Sequence, residues 1–163
     1  MSERIQLNQQ LSLGKQQDEN QYLTFMMADE EYGLDILAVQ EIRGWEEITA
    51  IPNAADFVKG AINLRGTIVP IIDLRLRFGI SSIDYGPLTV VIVVSVYIRE
   101  QQKVMGLVVD AVSDVYSISE EKAKDVPDFQ DSNNAQYVSG LVNVGEKMVV
   151  LLNLAKVLDL NAK

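Results

Sequence analysis

The chain has 163 residues, 48% of them hydrophobic, enough for one sizeable core or for two small barrels sharing an interface. Its formal net charge is −9, which argues against a nucleic-acid partner, since phosphate binding needs a basic footprint. It contains no cysteine and no histidine, so disulfides, thiolate metal sites and thiol nucleophiles are excluded, and the commonest general base is missing.

Residues 1 to 20 are polar and Gln-rich, with Ile5, Leu7, Leu11 and Leu13 too sparse to pack together. They read as a mobile tail ahead of a single domain over 21–163. The opening MSERIQLNQQLSLGK has no continuous apolar run of the secretory kind, so a soluble, intracellular protein is expected. QYLTFMM from Gln21 alternates as a strand, DEE from Asp29 is a turn, and YGLDI from Tyr32 is the returning strand. LAVQ then forms one tight helical turn, and EIRGW resumes the extended chain. A polar loop, Asn53 to Asp56, follows Pro52.

VKGAINL and TIVPII form the next hairpin, with Arg65-Gly66 at its tip. Pro70 lacks an N–H, so its strand is at an edge or loses a ladder bond there. Asp73 caps a short helix, LRLRF, which Gly79 ends. Alternation in that helix places Arg75 and Arg77 on the solvent side. Together with Arg65 and nearby Lys59 they are the only candidate basic patch.

The most apolar stretch, Leu88 to Ile98, is 11 residues long; a membrane-spanning helix needs roughly 20. Its β-branched residues read as a buried strand, with Val90 to Val94 in the core. Thr89 to Tyr97 pairs with Lys103 to Val109 around the polar turn REQQ. Residues 117 to 136 read as a strand end, a helical turn and a long surface loop. SGLVNV and KMVVLL then form a hairpin around Gly145-Glu146, and Asn153 caps a closing helix, LAKVLDL.

The chain is duplicated. GLDILAVQEI from Gly33 returns as GLVVDAVSDV 73 residues later, from Gly106. FVKGAINLRGTIVPIIDLRLRF returns as YVSGLVNVGEKMVVLLNLAKVL 80 residues later (Gly60 to Gly140). Two copies of one β-rich unit predict two similar subdomains packed together, and short strands with Gly-bearing turns favour barrels over a βαβ sheet. Shared positions read as scaffold: Gly60 with Gly140, Asn63 with Asn143, Val39 with Val112.

Function is sought where the copies differ. Arg65 is matched by Gly145, and Glu41 by Asp114. On the residues alone, Arg65 and Glu41 fit either solvated charges or an oriented pair at a protein interface. Trp45 reads as core, with an interface rim as second reading. The acidic pairs Glu30-Glu31, Glu46-Glu47 and Glu120-Glu121 read as solvated surface charge. No metal-ligand spacing, phosphate-binding glycine loop or nucleophile elbow is present. An enzyme using groove carboxylates, or an oligonucleotide barrel, would need facing acids or an aromatic, basic face; the sequence offers neither.

EEYGLDILAVQEIRG, FVKGAINLRGTIVPIIDLR, VVDAVSDV and the closing hairpin plus helix strongly resemble the CheW family of bacterial chemotaxis coupling proteins, over about residues 21 to 160. The resemblance implies a mainly β fold of two SH3-like five-stranded barrels around a shared apolar core, with short helices, one of them C-terminal. It implies a non-catalytic, cytoplasmic adaptor without metal or cofactor. Its partners would be the regulatory domain of the histidine kinase CheA and the cytoplasmic tips of chemoreceptors, in membrane-associated arrays, with no nucleic acid and no membrane insertion. A different chemosensory array, serving pili or gene expression, is the alternative. Carried onto this chain, the partner-binding residues are Val39, Glu41 and Arg65, supported by Ile42, Asn63 and Gly66, with Val90 on a groove wall.

Overall fold

The computed structural model describes residues 19–46, 48–80, 84–119 and 135–159. Most of the expected tail and of the loop over 117–136 lies outside them. Ten strands and two one-turn helices make up the described chain: β1 Glu19–Met27, β2 Glu30–Asp35, β3 Val39–Gly44, β4 Val58–Leu64, β5 Thr67–Asp73, α1 Leu74–Arg77, β6 Val90–Ile98, β7 Gln101–Val109, β8 Ala111–Ser119, β9 Val138–Val144, β10 Lys147–Leu152 and α2 Leu154–Val157. None of the described helices is long and apolar enough to cross a membrane. β1 starts at Glu19, two residues before the expected Gln21.

The strands form two five-stranded sheets, in the orders β8-β1-β2-β10-β9 and β3-β6-β7-β5-β4. Advancing each strand number by five, and returning to β1 after β10, turns the first order into the second. The two sheets are therefore the two subdomains that the repeat predicts, but the copies and the subdomains do not coincide. Barrel one takes β1 and β2 from the first copy and β8, β9 and β10 from the second; barrel two takes β3, β4 and β5 from the first copy and β6 and β7 from the second. The connectors explain the exchange. β2 passes to β3 through a 3-10 turn, Ile36–Ala38, capped by Asp35, whose Oδ1 accepts from Leu37 N at 2.9 Å. β7 passes to β8 through Asp110 alone. Neither connector has the left-handed residue pair found in the Arg65-Gly66 hairpin turn, so the chain runs on into the other barrel.

Alternation along the strands then sorts the side chains into three cores. Val91, Val93 and Val108 face the interior of barrel two with Leu64, Val69 and Ile71. Ile118, Val142, Val149 and Leu151 fill barrel one. The opposite faces, including Phe25, Leu34, Ile72, Ile92, Val94 and Leu107, meet in a core shared by both barrels, which α1 and α2 close through Leu74, Leu154 and Val157. Among the described residues the shared core holds 18 buried apolar side chains, against 6 and 4 in the barrels. At about 1.5–3 kcal/mol for each buried Val, Leu or Ile, the shared core supplies most of the hydrophobic stabilisation. The barrels are thus mutually dependent.

Hairpin chemistry follows the sequence closely. The β4–β5 tip has Arg65 at φ 49° and Gly66 at φ 89°, the left-handed pair that a two-residue hairpin turn needs. Pro70 sits where the β5–β7 ladder has yet to begin, since that pairing starts at Ile71. Asp73 and Asn153 cap α1 and α2 as expected, accepting from Arg75 N and Lys156 N.

Two expectations fail. Arg75 is not on the solvent side; its side chain is 2% exposed. It donates to Asp73 through Nε and Nη2, each at 2.9 Å, and through Nη1 to Asp110 Oδ1 at 2.9 Å and Asp84 O at 2.7 Å. Arg77 donates to Val157 O and lies over the rings of Phe57 and Tyr137. Among the described residues no basic patch is left around them. Four residues cannot express alternation in a helix, and Arg75 is drawn inward by the neighbouring Asp73 together with Asp84 and Asp110 from more distant turns. Glu31 also departs from solvated surface charge: the turn is Ala28-Asp29, and Glu31 lies inside β2 at 6% exposure.

Candidate partner-binding site

Barrel two must join its two edge strands, β3 and β4, to close. It does so at two points. The segment after β3 makes a backbone bridge, Thr49 N to Ala61 O at 3.2 Å and Ala61 N to Thr49 O at 2.9 Å. Gly60 is obligatory beside it, because a Cβ there would lie 2.1 Å from Thr49 O. The second closure is electrostatic. Arg65, on the β4–β5 tip, donates through Nη2 to Glu41 Oε1 on β3.

Glu41 reaches that position through a bulge. β3 pairs with β6 as Val39 to Val94 and then Glu41 to Val93, so Gln40 is the extra residue. The bulge inverts the facing of the strand. Val39 turns to the shared core, as Val94 does. Glu41 turns to the mouth of barrel two, as Val93 turns to its interior. Arg43, two residues on, lies on the same side; its Nη1 is 3.3 Å from Glu41 Oε2 and its Nη2 is 2.8 Å from Glu46 Oε1. The hydrogen bond from Arg65 holds the Glu41 carboxyl below the usual carboxylate range, partial desolvation opposing it and Arg43 assisting.

Asn63 and Gly66 shape the tip. Asn63 Oδ1 accepts from Gly66 N at 2.8 Å, an internal bond that fixes the hairpin. Asn63 thus serves the scaffold and presents Arg65, whose side chain is 73% exposed. Behind the pair opens a cavity of about 270 Å³ lined by Gln40, Leu64, Arg65, Thr67, Val69 and Val104. Ile68, 66% exposed, stands on the same hairpin.

The expected residues therefore fall into two groups. Glu41, Asn63, Arg65 and Gly66 meet at the mouth of barrel two. Val39, Ile42 and Val90 lie on the other side of the sheet: Ile42 pairs with Ile92, a shared-core residue, while Val39 and Val90 pack against that core. Val90 sits opposite Gly44, at the far end of β3 from Glu41. Arg43 and Ile68 were missed. Arg43 was readable from its spacing to Glu41 along a strand; Ile68 was not, because alternation alone does not tell an open edge from a core. Trp45 is half-buried against the barrel-two core, its ring 4.4 Å from that of Tyr85.

A profile of the CheW-like domain matches residues 21–162. The chain belongs to the CheW-like domain family. The chemotaxis protein CheW of Klebsiella aerogenes is 46% identical over 139 residues, which cover 85% of this chain and 81% of that protein. The probable chemotaxis protein CheW of Rhizobium etli is 36% identical, over 85% and 86% of the two chains. Among solved structures, the scaffolding protein TtCheW of Thermoanaerobacter tengcongensis superposes with a TM-score of 0.76 at 35% identity, covering 88% of this chain and 90% of that one. The family is one of scaffolds and adaptors, and the two curled sheets here are its SH3-like barrels.

Proposed function

We propose that this protein is a non-catalytic chemotaxis adaptor that couples the histidine kinase CheA, through its regulatory domain, to the cytoplasmic tips of chemoreceptors. The observation that carries the reading is the ion pair across the mouth of barrel two. Arg65 is held by Glu41 and Arg43 holds Glu41 in turn, yet the Arg65 side chain is mostly exposed. An oriented guanidinium on the same hairpin as the exposed apolar Ile68 has the chemistry of an interface anchor with an apolar neighbour. Val39, Ile42 and Val90 on the inter-barrel side supply a surface suited to a helical partner. No cluster among the described residues could hold a metal ion, and binding of this kind requires none. In this reading residues 21–163 act as one domain preceded by a tail, in the cytoplasm, recruited to arrays in which many weak contacts act together.

Arg65→Glu tests it. The variant should melt like the parent, because Arg65 is an exposed tip, and should lose binding to a receptor-tip fragment or to the CheA regulatory domain in a pull-down. The double exchange Glu41→Arg/Arg65→Glu should regain part of it. A stable Arg65→Glu protein that captures both partners as the parent does would refute the assignment.

A further inference from the structure

A second cavity opens where β2 and β10 begin. We propose that it docks a basic side chain, arginine or lysine, carried by a protein partner. Met26, Asp29, Glu30, Glu31, Lys147, Met148 and Val150 line a cavity of about 490 Å³ there.

Glu31 is the deciding residue. Its side chain is 4% exposed, its Oε1 lies 3.5 Å from Lys147 Nζ, and its Oε2 is buried with no hydrogen-bond partner among the described residues. A charge-assisted N–H···O contact closes to about 2.7–2.9 Å, so Lys147, itself 66% exposed, is a loose partner for one oxygen only. A buried carboxylate oxygen without a donor is unfavourable, and the lining offers three carboxylates against one ammonium.

The fold does not require this carboxylate. Gly33 and Gly106 are matched, so the residue matched to Glu31, two positions earlier, is Val104, which lines the mouth of barrel two. Lys147 is matched in the same way by Thr67. The acid is therefore an addition to a scaffold that closes without it. The occupant follows from the walls. No group of acidic residues among those described could hold a metal ion. Met26, Met148 (54% exposed) and Val150 suit the aliphatic stem of an arginine or lysine, and methionines adapt to whatever stem enters. Charge complementarity then places the cationic head on Glu31 Oε2.

That the side chain arrives on a protein rests on the adaptor reading; the recognition chemistry does not. The test uses the intact chain and N-acetyl-arginine N-methylamide as probe, with the citrulline analogue as its neutral isostere. The methyl resonances of Met26 and Met148 are followed by NMR. The arginine probe should shift both saturably and the citrulline probe neither. Glu31→Gln should weaken binding by about tenfold or more. Lys147→Met, which removes the internal competitor, should tighten it several-fold, and Arg65→Glu should leave it unchanged. Equal shifts from the two probes, no saturation, or a folded Glu31→Gln protein that binds as the parent does would overturn the site. Should Glu31→Gln not fold, the contrast of probes on the parent and on Lys147→Met still decides. Failure here with loss of partner binding in Arg65→Glu leaves the adaptor reading intact; the reverse result removes that reading alone.

Discussion

The two barrels share a strand order and differ in how their mouths are charged. Barrel two puts Arg65 on its hairpin tip and holds it with Glu41. Barrel one has Gly145 at that tip, and Asp114, matched to Glu41, is satisfied locally by accepting from Val115 N at 2.8 Å. Barrel one instead carries Glu31 where barrel two has Val104. The scaffold is present twice, and the charges on its two copies differ. One barrel puts a cation on an exposed hairpin tip and the other a carboxylate inside a strand. A near-symmetric fold can make its two ends distinct only through such differences.

The largest difference between the copies is buried. Asp73 and Arg75 in barrel two correspond to Asn153 and Ala155 in barrel one. Asp73 is 0% exposed and is neutralised by Arg75, which also ties down Asp110, the one-residue crossing from β7 to β8. Asp110 in turn accepts from Ala28 N at 3.0 Å on the β1–β2 turn. The network thus links both barrels at the point where the chain changes from one to the other. Arg75→Ala strands a buried charge and should cost about 3–5 kcal/mol in urea unfolding. Adding Asp73→Asn imitates barrel one and should recover part of that loss. If the double variant is no more stable than the single one, the charge is not the cause.

The tightest packing comes next. Inside each barrel one glycine lets neighbouring strands approach. A Cβ on Gly106 would lie 2.6 Å from Ile71 Cδ1 and 2.8 Å from Val91 Cγ1; on Gly33 it would lie 3.1 Å from Leu151 Cδ2 and 3.2 Å from Val149 Cγ1. Barrel two is therefore the more closely filled. Gly106→Ala should destabilise by about 1–3 kcal/mol, the usual cost of overpacking, and Gly33→Ala by less. Equal losses in thermal melts would contradict this ranking of the two interiors.

The legible part of the fold was local. Arg65-Gly66 and Gly145-Glu146 marked hairpins, Asp73 and Asn153 marked caps, and the repeat marked two subdomains, because each signal sits within a few residues of the structure it makes. What stayed hidden was long-range. The exchange of strands depends on two connectors that do not form hairpin turns, which sequence similarity does not reveal. The burial of Arg75 depends on Asp110, 35 residues away. Of the site, comparing the copies exposed Glu41 and Arg65, since a guanidinium opposite a glycine is visible in sequence. Glu31 escaped because two adjacent acids after a turn look alike, yet neighbours on a strand face opposite sides.

The smallest effect expected is also the most direct probe of the barrel-two mouth. Arg65 donates to Glu41, and that bond is the main cause of its lowered pKa. A carboxyl lowered in the folded state contributes stability above the usual carboxylate range and loses it as pH falls through the folded value. Arg65→Ala should therefore move the Glu41 titration, followed by carboxyl NMR, up toward the ordinary range. Arg43→Ala should move it less, since its bond to Glu41 is the weaker cause. The melting temperature should barely change in either variant, because the pair is solvent-screened. If Glu41 titrates alike in the parent and in Arg65→Ala, the pair does not persist in solution, and the mouth of barrel two has no oriented cation to set against the carboxylate of barrel one.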